Sequence, residues 1–236
     1  MAEHIVKSFE GELEALSTGI AQMGGLAEAQ LQASLEAVAH RDSALAEKTV
    51  AEDRRIDAME QDIDLRAVRL LALRQPMAID LREAVAAIKI STDLERIGDL
   101  AKNIAKRVLI IQHDYELPNR LVQGILRMGR IAQSQLKSVL DAYSSRDAQA
   151  SLDVWRGDEE LDAMYNSVFR ELLTYMMEDP RMISACTHLL FIAKNLERTG
   201  DHATNVAEAA YYLITGERLM DDRPKGDNIV GQVVSS

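Results

Sequence analysis

One acid-rich helical stretch occurs twice in this chain, and that repetition restricts its possible folds more than any other feature. "DLERIGDLAKN" occupies residues 93–103 and "NLERTGDHATN" residues 195–205. The likeness extends well beyond them. "MGGLAEAQLQASLEA" (23–37) aligns with "MGRIAQSQLKSVLDA" (128–142) at an offset of 105. The same offset carries Arg41-Asp42 onto Arg146-Asp147, and Asp53, Asp57, Ala58 and Met59 onto Asp158, Asp162, Ala163 and Met164. Past "QPM" (75–77), echoed by "DPR" (179–181), the offset falls to 102, as a trimmed loop would make it, and eight of the thirteen residues from 93 to 105 recur. A sequence written twice at this period folds as two copies of one unit.

The unit reads as three helices. Apolar residues at 5, 9, 13, 16, 20, 23, 27, 31, 35 and 38 keep steps of three and four, the stripe of one long amphipathic helix. Asp42 is placed to cap a second helix running to about Arg74. Pro76 is expected as the first residue of a third, with a stripe at 90, 94, 97, 101, 104, 108 and 111. "QHDYELPN" ends it and Pro118 opens the next helix, while Asp179 and Pro180 repeat the cap and first turn. Helices of 30 residues or more make rods of roughly 45–55 Å. The expected fold is all-α: two tandem, sequence-related antiparallel three-helix bundles built from six long helices. The first spans 1–114, the second 118–216, and 217–236 is a flexible C-terminal tail. Hydrophobics are 47% of the chain but aromatics only 4%, which calls for narrow seams lined by Ala and Leu.

A formal charge of −11 argues against nucleic acid, whose phosphates need a basic surface, and against adhesion to an anionic membrane. The same field suits metal cations or a basic protein surface. Cys186 is the only cysteine, so neither an internal disulfide nor a zinc-type Cys cluster can form. No secretory signal opens the chain, and its longest apolar runs are too short to span a bilayer, so a cytoplasmic protein without membrane insertion is expected.

The repeated stretches carry helix-weakening features. Glu95 and Asp99 stand four residues apart on one helix face, Asn103 continues the row, and Gly98 lies between them; Glu197, Asp201, Asn205 and Gly200 repeat the arrangement. Like charges at that spacing cost a few tenths of a kcal/mol, and a helical Gly about 1 kcal/mol against Ala. The second helix of each unit supplies Asp53 with Asp57 and Asp158 with Asp162. Folding the hairpin about its proline sets Asp57 and Glu95 each 19 residues from Pro76, and Asp53 and Asp99 each 23. From Pro180 the distances are 18 and 17, then 22 and 21, so four acids meet at one height in each unit. Oxygen clusters of this kind hold hard or borderline cations. The other reading is a solvated bundle edge, since the acids sit one position off the apolar stripe and Arg96, Lys102 and Lys106 stand near the first set. The glycines equally suit close helix approach. No Glu-x-x-His di-iron spacing, P-loop, G-x-G-x-x-G or nucleophile elbow occurs. A metal-free helical scaffold and a metal-dependent hydrolase are the alternatives to a binding protein; an enclosed pocket with an acid or base would mark the hydrolase.

A duplicated helix carrying "LERIGD(L/H)A(K/T)N", with an acid pair in the neighbouring helix, resembles the PhoU family over about residues 5–216. The resemblance implies a cytoplasmic, often dimeric, non-enzymatic protein of two three-helix bundles. It implies a negative regulator of the phosphate-starvation (Pho) regulon and of high-affinity phosphate uptake. Such a protein links the ATPase subunit of the phosphate ABC transporter to the regulon's sensor histidine kinase. It also implies metal at the E(D)-x-x-x-D motifs: Asp53/Asp57 with Glu95/Asp99, and Asp158/Asp162 with Glu197/Asp201, extended by Asn103 and Asn205. Such oxygen ligands suit Mg, Mn or Fe and, with His202, Zn. Asn195 in place of Asp93 and Thr199 in place of Ile97 set the second copy apart from the first.

Overall fold

The computed structural model describes residues 2–114 and 118–219. The first unit is α1 (Ala2–His40), α2 (Ser43–Glu52), α3 (Arg54–Arg74) and α4 (Ala78–Asp114). The second is α5 (Asn119–Ser145), α6 (Ala148–Arg156), α7 (Asp158–Glu178), a 3-10 turn (Pro180–Met182) and α8 (Ile183–Thr215). Among the described residues there is no strand. Most of the tail, 220–236, and the segment 115–117 lie outside them.

Six long helices form as expected, but the second of each unit is interrupted. Asp53 keeps helical angles (φ −52°, ψ −37°) while its carbonyl accepts from Ile56 at 2.9 Å and from Asp57 at 3.2 Å, so the ladder tightens for one turn between α2 and α3. Gly157 makes the matching interruption between α6 and α7. The caps follow the sequence: Asp42 accepts from the Leu45 amide and Asp147 from the Ala150 amide, each at 3.0 Å. Asp179 caps the turn that Pro180 opens. Pro76 departs from expectation. It precedes α4, which starts at Ala78, because Gln75 ends α3 in the left-handed region (φ 47°) and the chain turns before helix resumes. Pro118 likewise sits one residue ahead of α5.

Every residue of the second stripe, from Ile90 to Ile111, is buried, as are those of the first from Leu16 to Val38. The two units pack along α1–α5 and α4–α8. Both pairs run antiparallel. Leu35 reaches Gly129 while Leu140 reaches Gly24, two contacts related by the repeat offset. Arg107 lies over the Phe191 ring at 4.3 Å while Asp93 meets His202 further along. The seam therefore has the self-complementary character of a two-fold interface inside one chain. Its hairpin tips point to opposite ends: Arg82, near the start of α4, abuts Gly216 at the end of α8. Each tip exposes apolar side chains, Leu73, Met77 and Ile79 on one, Met177 and Ile183 on the other, with Leu65, Val68 and Leu173 exposed further along the adjoining helices.

Candidate cation-binding clusters

The α3–α4 hairpin brings the first four acids together, as counting from Pro76 anticipates. Burial raises the Asp57 carboxyl above its ordinary range; the charges of Asp53 and Asp99 add to this and Lys102 opposes it. Glu95 is raised by burial first, then by Asp99, with Asp57 contributing and Arg96 opposing. The helix-weakening Gly98 has a packing role at this point. A Cβ on it would stand 2.9 Å from Ile56 Cδ1 and 3.2 Å from Gln30 Oε1, so its absence lets α3 approach α4. Ile56 is one residue from Asp57, and the glycine thereby sets the separation of the acid pairs.

The solvated-edge expectation fails at two positions. Asp53 is 3% exposed and Glu197 8%. Asp53 is buried because it occupies the interruption before α3, inside the turn that packs on α1 and α4. Its Oδ1 accepts from Gln30 Nε2 at 3.1 Å and its Oδ2 from the Lys102 ammonium, which also donates to Asp99 Oδ1. Three helices meet through one carboxylate and one lysine. Burial alone would lower the Lys102 pKa, but its hydrogen bonds to Asp53 and Asp99 outweigh that and carry it above the ordinary lysine range. Arg96 is more loosely placed, 3.6 Å from Glu95 and 3.9 Å from Asp99, with its side chain 56% exposed. Asn103 is exposed.

The second cluster is built differently. Glu197 Oε1 accepts from Lys194 Nζ at 2.6 Å, whereas Glu197 Oε2 is buried with no hydrogen-bond donor. Burial raises this carboxyl, the Lys194 bond opposes, and Asp201 and Asp162 raise it further, so these three acids share one neighbourhood. Asp158 begins α7, and its side chain lies outside the described residues. Asn205 turns away from the cluster: its Nδ2 donates to Asp93 Oδ1 at 3.1 Å, and His202 Nδ1 lies 2.8 Å from the same oxygen. Both therefore join the seam between units.

Among the described residues, no three His, Cys, Asp or Glu side chains are disposed to hold a metal ion. In the first unit two of the carboxylates, Asp53 and Asp99, already hold an ammonium. In the second, a buried carboxylate oxygen without a donor, beside two further acids, has the chemistry a cation would satisfy. Sequence reading passed over Gln30 and the Asp93 seam. Gln30 carried a signal, since it recurs as Gln135 at the repeat offset; Gln135 Nε2 donates to the Gly157 carbonyl at 3.1 Å. Asp93 carried only its replacement by Asn195 in the second copy, which does not point to partners 109 and 112 residues away.

Comparison with known proteins gives one consistent result. The PhoU domain matches residues 20–108 and 125–210. The chain is 55% identical over 227 residues to a phosphate-specific transport system accessory protein PhoU homolog of Caulobacter vibrioides, covering 96% of this chain and 98% of that protein. A protein of the same description from Rhizobium meliloti is 50% identical, with 95% and 94% covered. The crystal structure of PhoU from Pseudomonas aeruginosa superposes with a TM-score of 0.86 at 40% identity, over 89% of this chain and 100% of that one.

Proposed function

The chain belongs to the PhoU family, and from that premise we propose that it is a negative regulator of the phosphate-starvation response and of high-affinity phosphate uptake. It acts by binding, as an adaptor between the ATPase subunit of a phosphate ABC transporter and the sensor histidine kinase of the phosphate regulon. The observation that carries this reading is the 55% identity, along nearly the whole of both chains, to a relative named as an accessory protein of phosphate-specific transport. That name describes an accessory protein and not an enzyme. Among the described residues no helix is long and apolar enough to cross a membrane, which fits a protein that works at a transporter's cytoplasmic side without entering the bilayer.

The structure supplies features that suit an adaptor. Large apolar side chains such as Met77 (79% exposed) and Met177 (84% exposed) crown the two hairpin tips, and exposed apolar groups of this size are characteristic of protein interfaces. In the cytoplasm the tips meet the ATPase subunit and the kinase, and a second copy of the chain joins as a homodimer. A divalent or trivalent cation belongs to the same reading, at the cluster where Glu197 has Asp162 and Asp201 as charged neighbours. Its charge would compensate the buried Glu197 carboxylate and tie α7 to α8.

The test is alkaline phosphatase output in phosphate-rich medium, with and without the gene. Output that rises on deletion and falls again on complementation supports the regulator; output that stays low after deletion refutes it.

A further inference from the structure

The duplication also sets the two ends of the α4–α8 seam against each other, and their surface chemistry has diverged. Residues 100–113 of α4 and 183–196 of α8 contain no Asp or Glu, in a chain with 38 such acids and a formal charge of −11. These two stretches lie side by side: the Arg107 guanidinium stacks on the Phe191 ring at 4.3 Å, and its Nη1 donates to His188 Nδ1 at 3.3 Å. Burial first, then the Arg107 charge, hold His188 below its ordinary pKa, so near neutrality it stays an uncharged acceptor that fixes the guanidinium. Phe191 is nevertheless 48% exposed, Ile110 is 42% exposed one turn along α4, and Lys106 stands exposed beside Arg107 in the chain. Glu197, the next acid along α8, already accepts from Lys194. The repeat offset carries Lys106 onto Glu208, Arg107 onto Ala209 and Phe191 onto Lys89. At that opposite end the groove is lined by Asp93 and Glu208 as well as Lys89.

We infer that the α4–α8 surface around Arg107 and Phe191 is a docking site for an acidic segment of a partner protein, one that carries an apolar side chain among its carboxylates. This rests on the adaptor reading above and assigns one partner's chemistry to one end of the molecule. Phe191 and Ile110 supply the apolar contact. Arg107 presents its remaining N–H groups in a fork held by the ring beneath it and by His188, so little freedom is lost when a carboxylate arrives. Lys106 adds charge at the rim, where it steers encounter. Arginine and aromatic residues are the anchors that dominate protein interfaces. Ile183, two turns nearer the second hairpin tip on α8, is also exposed and extends the surface toward Met177. A nucleic acid or an anionic membrane would meet the same cations but extend beyond them over a surface of net negative charge, whereas a short acidic segment ends within the patch.

The experiment follows the fluorescence anisotropy of a short fluorescein-labelled peptide of Glu and Leu with one Phe, mixed with full-length protein at low and at moderate salt. Wild type is expected to bind it, more weakly as salt rises. Phe191→Ala and Arg107→Gln should each weaken binding about tenfold. Lys106→Glu, at an exposed position that leaves the fold untouched, should weaken it about fivefold. Lys89→Glu, the same reversal at the opposite end, should change it by less than about twofold. Wild type that binds no peptide at low salt overturns the inference, as does peptide binding that survives Phe191→Ala and Lys106→Glu unchanged. Labelled duplex DNA, or phosphatidylcholine vesicles containing phosphatidylserine, overturn it if they bind more tightly than the peptide and lose that binding in Lys106→Glu. The gene-deletion assay above judges the regulator separately. Repression without peptide binding leaves that reading and removes this one; peptide binding at this surface without repression does the reverse.

Discussion

Gly129→Ala, made with and without Leu35→Ala, interrogates the seam that holds the two units together. A Cβ at position 129 would lie 2.5 and 2.7 Å from the two δ-carbons of Leu35 and 3.1 Å from its Cγ. Carbon atoms pack at about 3.5–4.0 Å, so both methyls must retreat by close to 1 Å. Leu35 is 5% exposed and has no solvent to swing into. Overpacking of this kind costs about 1–3 kcal/mol. Alanine returns about 1 kcal/mol of helix propensity, leaving a net loss of about 1 kcal/mol. Leu35→Ala alone should cost about 2–5 kcal/mol through its cavity. In that background the three atoms nearest the Cβ are gone, and Gly129→Ala should stabilise by about 1 kcal/mol. The sign reversal amounts to a coupling of about 2 kcal/mol, well outside the additivity expected of independent sites. Equilibrium urea unfolding followed by far-ultraviolet circular dichroism measures all four corners. Stabilisation by Gly129→Ala in both backgrounds would refute the packing argument. The related Gly24→Ala should cost less, because its neighbour Leu140 is only partly buried and can move aside.

Other consequences are measurable with the same methods. Asp53→Ala should cost about 3 kcal/mol, since it takes from Lys102 its buried carboxylate partner and leaves Gln30 only the Thr49 carbonyl, and Asp99→Ala, half-buried, less than half of that; equal losses in urea midpoints would count against the bridge. Glu197→Gln should stabilise metal-free protein at pH 8, with the gain shrinking toward pH 5. The raised carboxyl of Glu197 favours the folded state below its unfolded pKa, and that contribution is lost as pH rises through the folded value. A difference that grows on acidification would contradict the sign. Asp93→Ala should cost about 1–3 kcal/mol by leaving Asn205 and His202 without their shared acceptor; a melting temperature within 1 °C of wild type, where about 2–4 °C per kcal/mol is expected, would show the seam does not depend on it.

Much of the fold was legible because its signals are local. Helical periodicity, Asp caps and proline turns act over a few residues, and the stripes of α1 and α4 are buried as the spacing indicates. The meeting of four acids in the first unit was legible too, because an antiparallel hairpin makes height a matter of counting from its turn. Burial at the cluster was less so. Asp53 follows a run of helix-compatible residues, and nothing local marks it as a one-residue interruption facing Gln30.

The sequence alone determined that this chain is one helical unit made twice, with acid pairs at matching heights, because duplication and periodicity are one-dimensional properties. Only the tertiary structure decided what those pairs became. Lys102 bridges to Asp53 across 49 residues of chain, His202 and Asn205 turn from their own cluster to Asp93 in the other unit, and Glu197 keeps one oxygen without a donor. Each outcome depends on which faces meet when two long bundles pack side by side. That choice is made by the volume of residues such as Leu35 and the absence of a side chain at Gly129, which no spacing along the chain records.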